Sequence, residues 1–244
     1  MGALVLFAAF LLAATAVHVA GQEGFLSIDC GLDAALSGRL NTDTQITYVS
    51  DGPYVDGGEN HEIGDVRSAG DYTDLRTLRS FPSGLRNCYT LPTVSGAKYL
   101  VRTQVFYGNY DGKNDSSSVQ FELYLGTNFW DKVENVSYWP SEAVFVAWAS
   151  WVPVCLINTG NGAPFVNTVE LRQLGPSLYP DVNTDQFMCL CTYDRRNLGA
   201  TSFTRFPNDR YDRFWWSVST SSSWAYLSTQ NTIAQQDQAL QEST

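Results

Sequence analysis

Histidine, basic residues and long apolar runs are all scarce in this 244-residue chain. It contains 15 Lys and Arg against 25 Asp and Glu, and its net charge is −10. Such a chain is a poor partner for nucleic acid, whose phosphates attract basic surfaces, but its charge permits a basic partner such as a cationic peptide. Beyond residue 17, no apolar stretch is long enough to span a bilayer, so we expect no membrane span there.

Motifs for common catalytic chemistry are also missing. His61 is the one histidine outside the N-terminal segment, and the run of turn-forming residues around it favours a solvated loop over a catalytic base. The chain has no dinucleotide-binding glycine motif, P-loop or kinase loop. Nothing singles out a glycosidase pair among the acidic residues. We therefore expect no enzymatic activity, no cofactor and no metal site.

The first 21 residues are typical of a secretory signal peptide. Residues 4–17 form an uncharged run of Leu, Val, Phe and Ala, broken only by Thr15, and small residues follow it up to Gly21. A transmembrane helix needs about 20 apolar residues, which is more than this run provides. Its length and the small residues after it fit a leader instead. We expect residues 1–21 to be removed and the remaining chain to be secreted.

Five cysteines remain after the leader, and an odd number cannot all pair. They are Cys30, Cys88, Cys155, Cys189 and Cys191. In an oxidising compartment, structural disulfides with one free thiol are expected, and the connectivity stays open. If residues 189–191 form a strand, the thiols at its two ends share one face. That spacing does not favour a four-cysteine zinc site, because no Cys-x2-Cys pair exists.

Alternating apolar and polar residues dominate the rest of the chain. They predict strands at 98–107, 119–125, 152–157 and 168–174, with Pro153 placing the third at an edge or a bulge. Turn-forming Gly, Pro, Asn and Asp separate these segments. No window keeps a helical period for three turns. The fold class is therefore expected to be all-β, a jelly-roll-like β-sandwich.

A short segment rich in Gly and Pro at 175–180 reads as a linker. It separates a first unit, residues 22–174, from a second β-unit that begins at 181. Residues 228–244 are polar and rich in Gln, which is typical of a frayed terminus.

Several motifs resemble the malectin-like domain of plant leucine-rich-repeat receptor kinases. They stand in the order found in that family, at 25–31, 86–91, 107–111, 154–160 and 205–215. The resemblance implies two tandem malectin-like sandwiches. By that likeness, residues 22–174 are the first sandwich, and 181–244 are only the start of a second, incomplete one. We expect 181–244 to be loosely packed, or held by contact with the first sandwich.

The resemblance also implies a recognition function outside the cell. The ligand we expect is a cell-wall or glycan oligosaccharide, since aromatic faces beside planar polar groups suit sugars. The alternative ligand is a secreted cationic peptide or a co-receptor ectodomain, with the chain acting as a soluble decoy.

The candidate carbohydrate-binding residues follow from the same resemblance. In animal malectin an adjacent aromatic pair faces the sugar, and Phe106 and Tyr107 match it here at a strand end. Asn109 and Asp111 supply an amide and a carboxylate beside them, and Tyr54 is a weaker candidate. The alternative is that Phe106 and Tyr107 point in opposite directions, one into the core and one to the surface.

The sequence also contains two glycosylation sequons and two pairs of neighbouring tryptophans. Asn114 and Asn135 each begin an Asn-x-Ser sequon, and a glycan on Asn114 would lie close to the candidate sugar site. Trp148 and Trp151 lie in an apolar stretch and are expected in the core. The pair Trp215 and Trp216 is expected to be exposed if the second unit is incomplete.

Overall fold

The structure is a computed structural model that describes residues 22–64, 72–183 and 189–218. The predicted leader and the polar terminus lie outside the described residues. Within them the chain forms strands, turns and three short 3-10 segments, Ala34–Leu36, Thr73–Leu75 and Ser116–Ser118, without an α-helix. The strands are β1 Phe25–Asp29, β2 Arg39–Leu40, β3 Thr47–Ser50, β4 Glu59–Glu62, β5 Thr77–Ser80, β6 Arg86–Pro92, β7 Lys98–Phe106, β8 Gln120–Leu125, β9 Asn128–Glu134, β10 Tyr138–Val146, β11 Trp151–Asn161, β12 Phe165–Val166, β13 Thr168–Gln173, β14 Leu190–Thr192, β15 Arg196–Asn197 and β16 Trp216–Ser217.

Two large sheets carry the architecture. One has seven strands in the order β14-β10-β7-β13-β1-β3-β2, and the other has four in the order β6-β11-β8-β9. Smaller sheets follow the orders β12-β5-β4 and β15-β16. The side chains of Val101 and Val105 in the larger sheet and of Phe121 and Leu123 in the four-stranded sheet share one fully buried apolar core. The predicted all-β sandwich is confirmed.

The predicted strands are present, and their ends differ by at most one residue, except that β11 continues four residues beyond its predicted end. In β8, Phe121, Leu123 and Leu125 are buried while the residues between them are partly exposed, as the alternation requires. The prediction that Pro153 places this strand at an edge or a bulge is wrong, because β11 lies between β6 and β8 and pairs regularly with β6 at Pro153. Pro153 has no backbone N–H to donate. Its partner Thr90 donates its own N–H to the Tyr54 carbonyl oxygen, and the Pro153 carbonyl oxygen accepts the Gly126 N–H.

Strand β7 is buried along its whole length, because both faces of the larger sheet are covered. Its inner face packs on the four-stranded sheet. On its outer face Leu100 packs with Leu174 and Val182, and the partly buried Tyr179 and Tyr211 pack against them. Residues on the C-terminal side of the predicted linker therefore act as a further layer on the first unit. The domain boundary at 175–180 itself stays a prediction.

Charged side chains fill the rest of that outer face. We call them the ion cluster: Arg102, Glu142, Glu170, Arg172, Arg205 and Asp212. Arg102 Nε lies 2.8 Å from Glu142 Oε1, Arg172 Nε lies 2.9 Å from Asp212 Oδ2, and Arg205 Nε lies 2.8 Å from Asp212 Oδ1. The Arg102 guanidinium also covers the Phe214 ring at 3.5 Å. Three arginines meet three carboxylates, which offsets the cost of burying each charge.

Lys98 fixes the segment that follows the first unit. Its ammonium group donates hydrogen bonds to the carbonyl oxygens of Pro176, Leu178 and Tyr179, at 3.3, 2.6 and 2.8 Å. These carbonyls belong to the predicted linker, which is consequently tied to the start of β7.

The cysteine prediction needs correction. One disulfide, Cys88–Cys155, joins neighbouring strands β6 and β11, and three thiols are free rather than one. Cys30 is buried in the core. The thiols of Cys189 and Cys191 lie on the same side of the chain, with their sulfur atoms 3.6 Å apart.

The four tryptophans are also placed differently from expectation. Trp148 and Trp151 are 44% and 50% exposed, so the prediction that they lie in the core is wrong. Trp215 and Trp216 are half-buried rather than exposed. The Trp215 indole N–H donates to Asp209 at 2.7 Å, and Trp216 packs on Phe203 with a centroid separation of 4.6 Å.

Candidate recognition sites

The candidate aromatic pair lies where β7 ends and the chain turns. Phe106 is the last residue of β7, and both rings are buried, with 9% of Phe106 and 6% of Tyr107 exposed. Gly108 and Asn109 then adopt left-handed conformations, with φ of 50° and 51°. The alternation that would send one ring to the surface stops with the strand, so the alternative of one core and one surface ring is wrong.

The polar candidates of this turn bind one another. The Tyr107 hydroxyl donates a hydrogen bond to Asp111 Oδ1, and burial together with this bond raises the pKa of Tyr107 to about 12. Partial burial alone would raise the pKa of Asp111, but the bonds from Tyr107 and Lys113 lower it. Asn109 Oδ1 accepts the Asn114 N–H at 2.8 Å. The turn is therefore a preorganised polar surface.

Tyr110 and His61 supply the accessible ring surface beside the turn. Their ring centroids lie 5.2 Å apart, and Tyr110 also packs on Phe165 at 5.0 Å. The prediction that His61 lies in a solvated loop is wrong. It belongs to β4, is half-buried, and its Nε2 lies 2.9 Å from Ser80 Oγ.

Tyr54 stands apart from the hydrogen bonds of this turn. Its N–H donates to the Asp51 carbonyl oxygen, and its own carbonyl oxygen accepts the Thr90 N–H. Its ring is half-buried against the core, and burial raises the pKa of its hydroxyl. The structure thus brings together Phe106, Tyr107, Asn109 and Asp111, whereas the backbone of Tyr54 is bonded to Asp51 and Thr90.

Both sequon asparagines are exposed. Asn114 and Asn135 each have a left-handed backbone, with φ of 55° and 52°. The backbone of Asn114 is hydrogen-bonded to Asn109, so a glycan on it would begin next to the turn.

A groove that the sequence did not predict lies beside the edge strand β14. We call it the aromatic groove, and it encloses about 700 Å³ lined by Trp130, Asp131, Trp139, Tyr193, Asp194 and Trp216 among others. The members come from β9, β10, the turn after β14, and β16. Pairing of β14 with β10 brings these distant segments to one place.

Asp131 and Tyr193 give this groove a fixed carboxylate and a freely accessible ring. Asp131 Oδ2 accepts the Trp139 indole N–H at 2.9 Å and the Ser141 hydroxyl at 2.6 Å, which locks both the carboxylate and the indole. Tyr193 is fully exposed. Asp194 pairs with Arg196 at 2.7 Å. An arrangement of this kind can hold a cationic side chain, since aromatic faces and a carboxylate both attract one.

Among the described residues, no group of three His, Cys, Asp or Glu side chains is arranged to hold a metal ion. Over the same ranges no helix is long and apolar enough to cross a membrane.

Comparison with known proteins places the chain in a family. The malectin-like domain model matches residues 28–243. A probable leucine-rich-repeat receptor-like serine/threonine-protein kinase of Arabidopsis thaliana is 40% identical over 220 residues, which is 87% of this chain and 25% of that protein. The receptor-like kinase IOS1 of the same plant is 35% identical over 217 residues, 87% of this chain and 23% of its own length. The chain thus spans about a quarter of these relatives.

Solved structures share the fold. The plant receptor-like kinase FER matches with a TM-score of 0.66 at 19% identity, over 79% of this chain and 54% of its own. The structure of the plant peptide RALF23 in complex with FER and LLG2 matches with a TM-score of 0.61 at 18% identity, over 79% of this chain and 53% of that chain. At this identity the likeness concerns the fold alone.

Proposed function

The chain belongs to the malectin-like domain family, and from that premise we propose that it is a non-enzymatic recognition module in the extracellular part of a receptor-like kinase. We further propose that its ligand is a secreted cationic peptide, bound with or without a co-receptor ectodomain. The single observation behind this choice of ligand is the aromatic groove, with its fixed Asp131 and its accessible Tyr193.

Charge and anchoring chemistry support a peptide ligand. The whole chain carries a net charge of −10, which favours the approach of a basic partner. Tyr and Trp are the side chains that most often dominate binding energy at protein interfaces. A Lys or Arg side chain that enters the groove meets the Asp131 carboxylate and the rings of Trp139 and Tyr193 together.

A protein of similar fold, FER, has been solved in complex with the peptide RALF23 and the protein LLG2. That complex supports a search for a peptide and a second protein as partners of this chain.

Binding of synthetic cationic peptides to the purified protein tests this function. We expect binding that weakens as salt rises, and Tyr193→Ala should lower affinity about 30-fold or more, the loss of a dominant anchor. The matched control is Trp151→Ala, which removes an exposed ring outside the groove and should leave peptide affinity unchanged. Equal affinity of the wild type and Tyr193→Ala would remove the groove from the proposal.

Carbohydrate recognition at the turn of residues 107–111 is a second candidate. It is favoured by the exposed, preorganised turn in which Asn109 and Asp111 stand beside the rings of Tyr110 and His61. Because Phe106 and Tyr107 are buried, Tyr107 would act by holding Asp111 and by packing edge-on against Tyr110, their ring centroids being 5.6 Å apart.

Glycan binding before and after removal of any sugar at Asn114 tests this second candidate. Asp111→Ala and Tyr107→Ala should each weaken N-glycan binding, by about 1–3 kcal/mol for a lost anchor. Tyr107→Phe keeps the ring and loses the bond to Asp111, so it should weaken binding too. Unchanged affinity in Asp111→Ala would discard the turn as a sugar site.

A further inference from the structure

The outward face of the four-stranded sheet carries exposed aromatic rings. In β11, Val152, Val154 and Leu156 point into the core, so Trp151 and Pro153 point outward. Tyr124 of β8 and Phe129 of β9 lie on the same outward face, paired across the strands with a ring separation of 5.8 Å.

Trp148 extends this surface from the loop between β10 and β11. Its ring covers Gly126, where an added Cβ would come within 2.8 Å of the indole. The Gly126 N–H in turn donates to the carbonyl oxygen of Pro153, two residues after Trp151. We call this surface the aromatic face: Tyr124, Phe129, Trp148 and Trp151. Phe129 is 54% exposed, slightly more than either tryptophan.

Trp148 and the loop that carries it are held in place before any ligand arrives. Trp148 packs on the buried Phe145 with a centroid separation of 5.9 Å. The adjoining loop is fastened by Thr93, whose N–H and hydroxyl donate to the carbonyl oxygens of Ser150 and Ala149 at 2.9 and 2.8 Å. A surface that is already ordered loses little conformational entropy on binding.

The aromatic face has little net charge, although the whole chain is acidic. Trp151 faces Pro92 across the strands, and Tyr124 faces Cys155. The charged side chains that approach Tyr124, Arg86 and Glu122, have opposite signs. A cationic peptide would find no excess of carboxylates here, and an anionic lipid surface would find no basic cluster.

Uncharged residues neighbour the two tryptophans instead. Pro92 pairs with Trp151 and Thr90 pairs with Pro153 across the strands, and the Thr93 N–H joins the loop of Trp148 through the Ser150 carbonyl oxygen. Flat aromatic rings among neutral neighbours complement a pyranose, which has an apolar C–H face.

The aromatic face also lies at the end of the sandwich that is free of sequons. The loop that carries Trp148 neighbours the start of β7, because Val146 pairs with Lys98. The turn of residues 107–111 and Asn114 follow the opposite end of β7, and Asn135 is at that end as well, since β10 begins there opposite Phe106. Glycans on either sequon would leave the aromatic face open.

We propose that the aromatic face is a binding site for a neutral polysaccharide, whose sugar rings stack on Trp148 and Trp151. This site is separate from the aromatic groove and from the turn of residues 107–111, and it goes beyond the function proposed above.

Affinity electrophoresis in gels containing neutral glucans tests the site, with hydroxyethyl cellulose and laminarin as probes and polygalacturonate as the anionic comparison. The wild type should be retarded by a neutral glucan and not by polygalacturonate. Trp148→Ala and Trp151→Ala should each weaken binding about tenfold or more. Trp151→Tyr keeps a stacking ring and should retain most of the affinity, which separates stacking from folding.

A matched control separates ring loss at this face from ring loss elsewhere. Tyr72→Ala removes an exposed ring that belongs to none of the three candidate sites, and it should not change retardation by neutral glucans. The proposal is overturned if no neutral glucan retards the folded wild type, or if the tryptophan variants bind as the wild type does. It is equally overturned if the tryptophan variants only abolish self-association in sedimentation, because the face would then be a protein interface.

Discussion

The two faces of the seven-stranded sheet are buried by different chemistry. The inner face packs hydrocarbon against the four-stranded sheet, with Val101 and Leu123 fully buried. The outer face is covered by later segments of the chain and relies on the ion cluster around Arg102. Apolar packing loses stability roughly in proportion to the volume removed. A buried ion cluster instead depends on every partner, because removal of one leaves the others uncompensated.

The two faces also draw on different parts of the chain. The apolar core is built almost wholly from residues before 174, with Cys189 packed at its side. Asp212 and Arg205 of the ion cluster come from the segment after the linker. The outer face therefore makes stability of the first unit depend on the later segment, and this can be broken experimentally.

The largest effect is expected for Asp212→Ala. Asp212 contacts Arg102, Arg172 and Arg205, so its loss leaves three buried arginines with only two carboxylates, Glu142 and Glu170. We expect the free energy of unfolding to fall by about 3–5 kcal/mol, measured by urea denaturation. The exposed Asp181→Ala is the control and should change it by less than about 0.5 kcal/mol. Equal stability of the two variants would show that the ion cluster does not hold the outer face.

A smaller loss is expected from the inner face. Leu123→Ala deletes a fully buried side chain, and its unfolding free energy should fall by about 3 kcal/mol through lost burial and a cavity. Leu123 and Asp212 lie on opposite sides of the seven-stranded sheet. In the double variant Leu123→Ala with Asp212→Ala, the loss of unfolding free energy should therefore equal the sum of the two single losses. A marked deviation from additivity would mean that the sheet transmits strain between its faces.

Acid should weaken the outer face selectively. Burial alone would raise the pKa of Glu170, but Arg205, Arg172 and Arg102 lower it from 4.5 to about 2. The ionised form is thus favoured by folding, so this stability is fully present above pH 4.5 and is lost as pH falls through about 2. Urea denaturation at a series of pH values between 4.5 and 2.5 should show the unfolding free energy falling, and Leu123→Ala should show the same pH dependence. Stability that is constant between pH 4.5 and 2.5 would contradict the charge argument.

The smallest effect is a difference in reactivity between two thiols, that of Cys30 in the core and that of Cys189 beside the edge strand β14. The hydrogen bond with Cys191 lowers the pKa of Cys189 to about 7, whereas burial raises that of Cys30 well above the usual value. Iodoacetamide at pH 8 should label Cys189 in the native protein, faster than at pH 6, and Cys30 only after unfolding. Mass spectrometry of the digested protein reads this out. Equal labelling of Cys30 and Cys189 in the native state would refute it.

Local patterns predicted much of the fold because their causes are local. Alternation in 119–125 and 168–174 identified β8 and β13. β8 has one buried face, which fixes the side-chain period. In β13 the apolar Val169 and Leu171 alternate with Glu170 and Arg172, which are buried in the ion cluster. The exposure of Trp148 and Trp151 was missed, because the apolar stretch around them folds as two strands with a loop between. Only the pairing of β11 with its neighbours decides that Trp151 points outward.

The sites were harder to predict, because they depend on distant partners. The sequence grouped Tyr107 with Asp111, four residues away, and these do bond. It gave no sign that strand alternation ends at Phe106 and leaves Tyr107 buried. The aromatic groove joins Asp131 to Tyr193 through the β10–β14 pairing, and no short motif records such a contact. Whether Tyr54 belongs to a sugar site stays a prediction.

The order of synthesis gives the ion cluster another meaning. Asp212 follows its partner Arg172 by 40 residues and Arg102 by 110. At ordinary elongation rates the ribosome needs about 2–8 s for those last 40 residues. During this interval the nascent sheet carries its arginines without their shared carboxylate. The apolar core of the first unit can therefore form early in synthesis, but the ion cluster on its outer face is completed only after the later segment has been made.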